Sequence, residues 1–302
     1  MRFAVVIPTF NAGHEWVKCV NAIKLQSLNP VQVLIIDSES DDQTVQIAKD
    51  AGFEIVQIKK KEFGHGKTRQ LAVDKLQDYE FLVFMTQDAV LADNQSLANL
   101  LKWFSEGSVA AVCGRQLPRK NAGPIETHAR LYNYSDKPRI TVLDDANVLG
   151  LKTAFLSNSF AAYRLTALRE AGGFPENVIF GEDMYVATKL LKVGYKIAYA
   201  CDAAVYHSHD YTILQEFRRY FDMGVFHARE PWIRGELGKA EGEGFRFVVS
   251  ELKYMFNHAP WRVPEAILRS MLRYLGFRLG RLEAHIPPGL KRNLAMNRGY
   301  FK

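Results

Sequence analysis

Four short, largely apolar runs separated by segments of helical period occupy the first ninety residues, and few architectures accept that alternation. The runs, residues 2–8, 31–36, 53–58 and 81–86, are too short for helices and rich in Val, Ile and Phe, so they read as strands, the first and the last of them buried. Helical spacing fills the gaps. Trp16, Val20 and Ile23 mark a helix over about 14–26, a second spans 44–50 and closes at Gly52, and a third covers about 67–76. This order predicts an α/β domain: a mostly parallel sheet with helices packed on its faces.

In such a sheet, ligands bind beyond the carboxyl ends of the strands. Three successive strands end there in polar residues: Thr9 and Asn11, then Asp37, Ser38 and Ser40, then Thr86 and Asp88. Asp37 is suited to accept from a base or a ribose hydroxyl. Asp88 either holds a divalent metal that neutralises a diphosphate or simply caps the next helix. No G-x-G-x-x-G follows the first strand and no P-loop motif occurs, which disfavours dinucleotide and P-loop folds. Gly64 and Gly66, followed by Lys67 and Arg69, read as a backbone anion nest opening a helix, or as a plain tight turn with solvated cations.

The pattern continues with a helix over 95–104 and a strand over 109–113. Residues 114–153 are irregular and proline-punctuated, a long insertion expected to shape a second substrate's pocket. A strand over 157–163 and a helix over 165–171 follow. A loop over 174–181 then delivers Glu182 and Asp183 to the first turn of a helix ending near 193, where an acid serves as a general base or as a cap. After a strand over 195–200, His207 and His209 share one face of an extended segment as candidate metal or phosphate ligands.

Beyond residue 211 the chain reads as helices alone. Its net charge of +6 is concentrated there, 16 Lys+Arg against 9 Asp+Glu. Arg269, Arg273, Arg278 and Arg281 alternate with Ile267, Leu268, Leu272, Leu275 and Leu279. That predicts either a membrane-surface helix or a helix docked on the rest with its arginines snorkelling to water. Interleaved apolar residues fit an exposed nucleic-acid stripe poorly. Three scattered cysteines, a first strand without a preceding charged leader, and no apolar run of spanning length lead us to expect a cytoplasmic protein.

Taken in order, these stretches resemble the family 2 glycosyltransferases with the GT-A nucleotide-sugar fold. The matching pieces are residues 6–11, 36–42 with Thr44, 66–69, 85–88 and 181–183, within about 3–210. The wording at Thr86, Gln87 and Asp88, the 63–66 turn and the 207–209 stretch resemble bacterial rhamnosyltransferases, whose donor is dTDP-L-rhamnose. The resemblance implies a GT-A catalytic domain over 1–210, with a donor half over about 1–113 and an acceptor half over about 114–210. A basic amphipathic helical extension over 211–302 follows. It implies that Pro8, Thr9, Asn11, Asp37, Ser38, Ser40, Lys67, Arg69, Thr86, Gln87 and Asp88 surround the nucleotide sugar. Mg²⁺ or Mn²⁺ would sit at Asp88, and Asp183 would be the base, with Glu182 as second candidate; which of His207 and His209 is a ligand stays open. One departure stands out: the family's D-x-D reads Thr86-Gln87-Asp88, so a hydroxyl replaces the first acid.

The expected activity is inverting transfer of L-rhamnose to a hydroxyl of a lipid-linked or oligosaccharide acceptor in O-antigen or capsule-like polysaccharide synthesis. Residues 264–302 would touch the cytoplasmic face of the membrane. A UDP- or GDP-sugar donor and a non-catalytic nucleotide-sugar-binding module are the alternatives, and the oligomeric state is not legible.

Overall fold

The apolar runs become strands almost where they are written. The computed structural model describes residues 1–238 and 242–301, so Lys239, Ala240, Glu241 and Lys302 of the expected extension lie outside the described residues. The strands are β1 (Phe3–Thr9), β2 (Gln32–Asp37), β3 (Glu54–Gln57), β4 (Phe81–Met85), β5 (Val90–Leu91), β6 (Val109–Leu117), β7 (Arg139–Thr141), β8 (Phe160–Arg164) and β9 (Lys196–Tyr206). They form one sheet in the order β3-β2-β1-β4-β8-β6-β9-β5, with β7 also on β9. β1 runs parallel to β2 and β4, and β2 to β3. β8 is antiparallel to both neighbours, β4 and β6.

That reversal positions the site. Because Met85 pairs with Phe160 and Cys113 with Ala161, the segment entering β8 arrives where β4 and β6 leave. The strand expected over 157–163 therefore starts only at Phe160. Ser157 and Asn158 are drawn off as a loop by side-chain partners: Gln116 Nε2 donates to Ser157 Oγ, and Tyr163 Oη to Asn158 Oδ1. β9 outruns its expected end at residue 200 and reaches Tyr206. A register shift against β6, between Gly114 and Arg115, absorbs the polar Asp202 that makes the sequence look finished.

The helices are α1 (Glu15–Lys24), α2 (Thr44–Asp50), α3 (His65–Lys75), α4 (Ser96–Leu101), α5 (Pro124–Asn133), α6 (Ala146–Leu149), α7 (Leu165–Glu170), α8 (Glu182–Lys192), α9 (Ile213–Arg229), α10 (Pro231–Leu237), α11 (Glu243–His258), α12 (Val263–Arg281) and α13 (Pro288–Leu294). α5 and α6 lie in the stretch read as irregular. Pro124 starts α5 from its first position rather than breaking it, since proline lacks only a donor that the first turn leaves unused.

Alternate residues of β1 feed opposite faces of the sheet, Val5 and Ile7 into one core and Ala4 and Val6 into the other. The second core does not stop at residue 210. It takes in Phe221, Val225 and Phe226 of α9, Ile233 of α10, and Phe301. Each fully buried side chain of this kind contributes roughly 1.5–3 kcal/mol, so the carboxyl-terminal helices are part of the fold that holds the sheet. α9 and α12 approach backbone to backbone through Gly224, Gly276 and Gly280. A Cβ on Gly280 would lie 2.0 Å from the carbonyl oxygen of Phe221.

α12 is turned opposite to the expected basic face. Arg273 is buried, with Nη1 3.0 Å from Glu251 Oε1 and Nη2 2.8 Å from Glu216 Oε1; Arg269 pairs with Glu216 and Glu265. Ile267, Leu268, Met271 and Leu275 of the same helix face outward. Arg273 thus satisfies the buried Glu251, and Arg269 the half-buried Glu216 and Glu265, instead of meeting an anionic surface. Arg278 and Arg281 stay exposed.

Candidate active site

Thr9, at the end of β1, donates its hydroxyl to Asp37 Oδ1 at 2.9 Å, and Ser40 donates both its amide and its hydroxyl to the same carboxylate. Asn11 then donates its amide to Ser40 Oγ and accepts the amide of Asp41. Asn11 and Glu39 both take positive φ, 44° and 60°, to make these turns. Asp37 is fully buried, so it orders the loop from beneath, while Asn11 stays exposed. Pro8 sits within β1, opposite Ile36 of β2. Ser38 is buried, with its hydroxyl oxygen lacking a partner among the described residues. Gln87 clamps the loop after β4 to the loop after β1, accepting from Phe10 N and donating to Phe10 O.

Asp88 lies beyond β4, facing the segment that follows β9. Its Oδ1 is 3.4 Å from His207 Nε2 and its Oδ2 is 3.6 Å from His209 Nδ1. The ligand atoms of the three side chains all lie within 4.8 Å of one another. Gln116 spends its amide NH₂ on Ser157, so its carbonyl meets His207 Nδ1 at 2.9 Å. The proton therefore sits on Nδ1 and the Nε2 lone pair is turned toward Asp88. Nε2 is buried and finds no hydrogen-bond donor among the described residues. A lone pair facing a carboxylate suits a cation between them, and a hydrogen-bonded second nitrogen is how metal-ligating imidazoles are usually oriented. The donor set fits a divalent metal.

Burial works against ionisation of Asp88, but in the acid range, where the imidazoles carry a second proton, the hydrogen bond and charge of His207 and the charge of His209 outweigh it and hold the carboxyl well below its ordinary value. Burial lowers both histidines, His209 to about 3, which keeps them neutral and able to ligate. Arg119, from the stretch read as irregular, brings Nη2 to 2.8 Å from the Asp88 carbonyl and 3.3 Å from Oδ2.

The adjacent acids of α8 separate completely. Glu182 is buried, with Oε1 3.0 Å from Arg69 Nη1 and 3.0 Å from Asn158 Nδ2. Asp183 is half-buried and accepts the amide of Met184 at 2.8 Å. Burial, reinforced by the charge of Glu182, pushes its carboxyl up to about 7. One acid is thus neutralised by a cation, and its neighbour is poised near neutrality.

The expected anion nest is overturned. Gly64 is extended, Gly66 lies inside α3, and neither takes the positive φ a nest needs. Gly66 is small for packing, because a Cβ would come within 1.8 Å of the Pro175 carbonyl on the loop that sets Glu182 and Asp183. Arg69 is likewise engaged by Glu182 and by His65 O, while Lys67 is the exposed cation of the turn. Sequence reading missed Gln116, Arg119 and Asn158. No motif marked them, and only the juxtaposition of β4, β6 and β8 gives them partners.

The model for Glycosyl transferase family 2 matches residues 4–172, more than half of the chain. The chain belongs to that family. This family 2 glycosyltransferase is 47% identical over its whole length, and 96% of the relative's, to the O-antigen chain rhamnosyltransferase RfbN of Salmonella typhimurium. It is 44% identical to the O-antigen chain rhamnosyltransferase WbaN of Salmonella anatum, over 99% of this chain and 95% of that one. Its fold is the GT-A fold. The mannosyltransferase PcManGT of Pyrobaculum calidifontis, solved in complex with GDP-Man and Mn²⁺, superposes with a TM-score of 0.58 at 20% identity, over 99% of this chain and 84% of that one. Among the described residues of the enzyme, no helix is long and apolar enough to cross a membrane.

Proposed function

We propose that the chain is an inverting rhamnosyltransferase that moves L-rhamnose from dTDP-L-rhamnose to a hydroxyl of a lipid-linked glycan in O-antigen synthesis. The observation that carries this reading is the identity, 47% and 44% over nearly the full length, with two O-antigen chain rhamnosyltransferases. In the proposed reaction Asp183 takes the proton of the acceptor hydroxyl, whose oxygen bonds to the anomeric carbon of the donor. The bond from that carbon to the diphosphate breaks, and its electron pair leaves with the nucleotide. Held by Asp88, His207 and His209, a divalent cation would neutralise charge on the departing diphosphate. The pair of imidazoles favours Mn²⁺ over Mg²⁺, which prefers oxygen ligands and water. Thr9, Asn11, Ser38, Ser40 and Lys67 line the nucleotide in this reading; Pro8, Asp37, Thr86 and Gln87 shape the loops that present them, and Arg69 acts through Glu182.

In this reading residues 1–113 carry most of the donor contacts, residues 114–210 add the base, the histidines of the metal cluster and part of the acceptor pocket, and the carboxyl-terminal helices complete that pocket and touch the cytoplasmic face of the membrane. The test is calorimetric titration with dTDP-L-rhamnose, UDP-sugars and GDP-sugars in Mn²⁺, followed by transfer to extracted lipid-linked acceptor. Tighter binding and turnover of a UDP- or GDP-sugar would overturn the donor assignment. Donor binding without transfer to any glycan would favour a non-catalytic module.

A further inference from the structure

A cavity of about 1010 Å³ lies between α5, α9, α11 and α12, at the top of the range for small-ligand sites and larger than a single sugar needs. Its inner end includes His209, so it is continuous with the Asp88 cluster. Its walls are aromatic, with Tyr132, Tyr211, Tyr220, Phe247 and Phe277 among them. Two kinds of arginine line it. Arg269 and Arg273 are neutralised by Glu216, Glu251 and Glu265, which leaves the middle of the wall without unbalanced charge. Arg130 and Arg219 form no ion pair among the described residues. They lie against the rings of Tyr134 and Tyr211, and the Nε of Arg130 is buried without a hydrogen-bond partner. The ring of Tyr211 stacks on that of His209 with centroids 4.8 Å apart, and Arg219 lies 5.8 Å from the same Tyr211 ring, which places its charge toward the inner end. At the outer end Phe245, Met271 and Tyr274 line the cavity and are also 75%, 65% and 64% exposed. They adjoin the outward apolar face of α12, and Arg262 also lines the cavity.

From inside to outside the surfaces are therefore a reaction centre, two guanidinium groups without an ion pair among the described residues, an aromatic channel that Glu126 and Asp210 also line and where Lys152 and Arg262 are paired with glutamates, and an apolar rim. That order matches an amphiphile made of sugar, phosphate and hydrocarbon. We propose that this groove is the acceptor subsite and takes a lipid-linked glycan: the sugar end reaches His209, the phosphate meets Arg130 and Arg219, and the lipid chain leaves past Phe245, Met271 and Tyr274 toward the bilayer. The proposal rests on the glycosyl-transfer reading above and adds to it where, and by which end, the acceptor is held.

The probe is monomeric undecyl phosphate, compared with inorganic phosphate, titrated into the full chain with Mn²⁺ and saturating dTDP to fill the donor site. We expect saturable one-to-one binding at least 10-fold tighter than that of inorganic phosphate. Ala129→Trp, which fills the channel from α5, should weaken it at least 10-fold with an unchanged dTDP-L-rhamnose titration and unfolding temperature. Met271→Ser with Tyr274→Ser, at exposed positions where folding is not at risk, should weaken it several-fold. Undecyl phosphate binding no tighter than phosphate, or unaffected by these variants, overturns the proposal. So does binding to anionic phospholipid vesicles without binding of the monomeric probe, which would make the rim a membrane face only. Loss of dTDP-L-rhamnose binding in the parent protein would instead count against the donor reading, so the two failures are distinguishable.

Discussion

A carboxyl raised to about 7 is half protonated at neutral pH, so transfer that uses Asp183 as its base should rise with pH through that value. The stability effect has the opposite sign. Between the ordinary carboxyl value of 3.8 and about 7, the folded protein holds a proton that the unfolded chain releases. The contribution is full below the unfolded value and lost as pH rises through the folded one. Asp183→Asn should therefore lose on the order of 10²-fold or more in single-turnover rate, keep its donor affinity, and at pH 8 melt no lower than the parent. A near-parental rate would remove Asp183 from the mechanism. Glu182→Gln should behave differently, because it strands Arg69 in the interior, where breaking a buried pair costs about 3–5 kcal/mol. Removing that negative charge should also lower Asp183, shifting the rising limb of the pH–rate profile to lower pH. A fall in rate with no change in stability or profile would hand the base role to Glu182. At the metal cluster, Asp88→Ala should abolish Mn²⁺-dependent dTDP binding, and Gln116→Leu should weaken it about 10- to 100-fold by freeing the His207 tautomer. dTDP binding that survives EDTA unchanged would refute the metal assignment.

Elements here are held in place by close backbone approaches at glycines. α12 meets α9 at Gly276 and Gly280, where a Cβ would fall 2.4 Å from Phe217 O and 2.0 Å from Phe221 O. Gly280→Ala should push the helices apart and cost about 1–3 kcal/mol in urea unfolding, the usual scale for overpacking. The same displacement reaches the site, because Phe226 of α9 packs on Gly181, the residue before Glu182. Asn297 adds a second brace, donating its side chain to Ile179 O while its amide is held by Asp222. If Gly280→Ala keeps parental stability and rate, the crossing is not under the constraint its geometry describes.

For the whole molecule, the outward face of the carboxyl-terminal helices changes what membrane association should look like. A basic face would release from anionic vesicles as salt rises, whereas an apolar face with peripheral arginines should retain part of its binding. Co-sedimentation should fall only partly between low and high salt, and Trp261→Ser with Met271→Ser should reduce it further. Complete release by salt, with no effect of these substitutions, would return the interaction to charge alone. Point substitutions suit this test better than truncation at 264, because the removed segment braces the α8 loop.

Local pattern carried much of this protein. Largely apolar runs placed β1, β2 and β4 within a residue or two, since burial on both faces leaves little other composition available. Strand-end polar residues marked the ligand edge, and a lone acid after β4 marked Asp88. What periodicity reports is which residues share a face, not which way the face looks. It could not reveal that Arg269 and Arg273 turn inward to Glu216 and Glu251 while Arg278 and Arg281 stay exposed. Nor could it separate Glu182 from Asp183, because the difference is Arg69, brought in from another helix. The union of Asp88 with His207, His209 and Gln116 depends on β8 running antiparallel between β4 and β6 and on β9 continuing past its register shift. Those are long-range pairings, decided by how the sheet closes, and only the tertiary structure contains them.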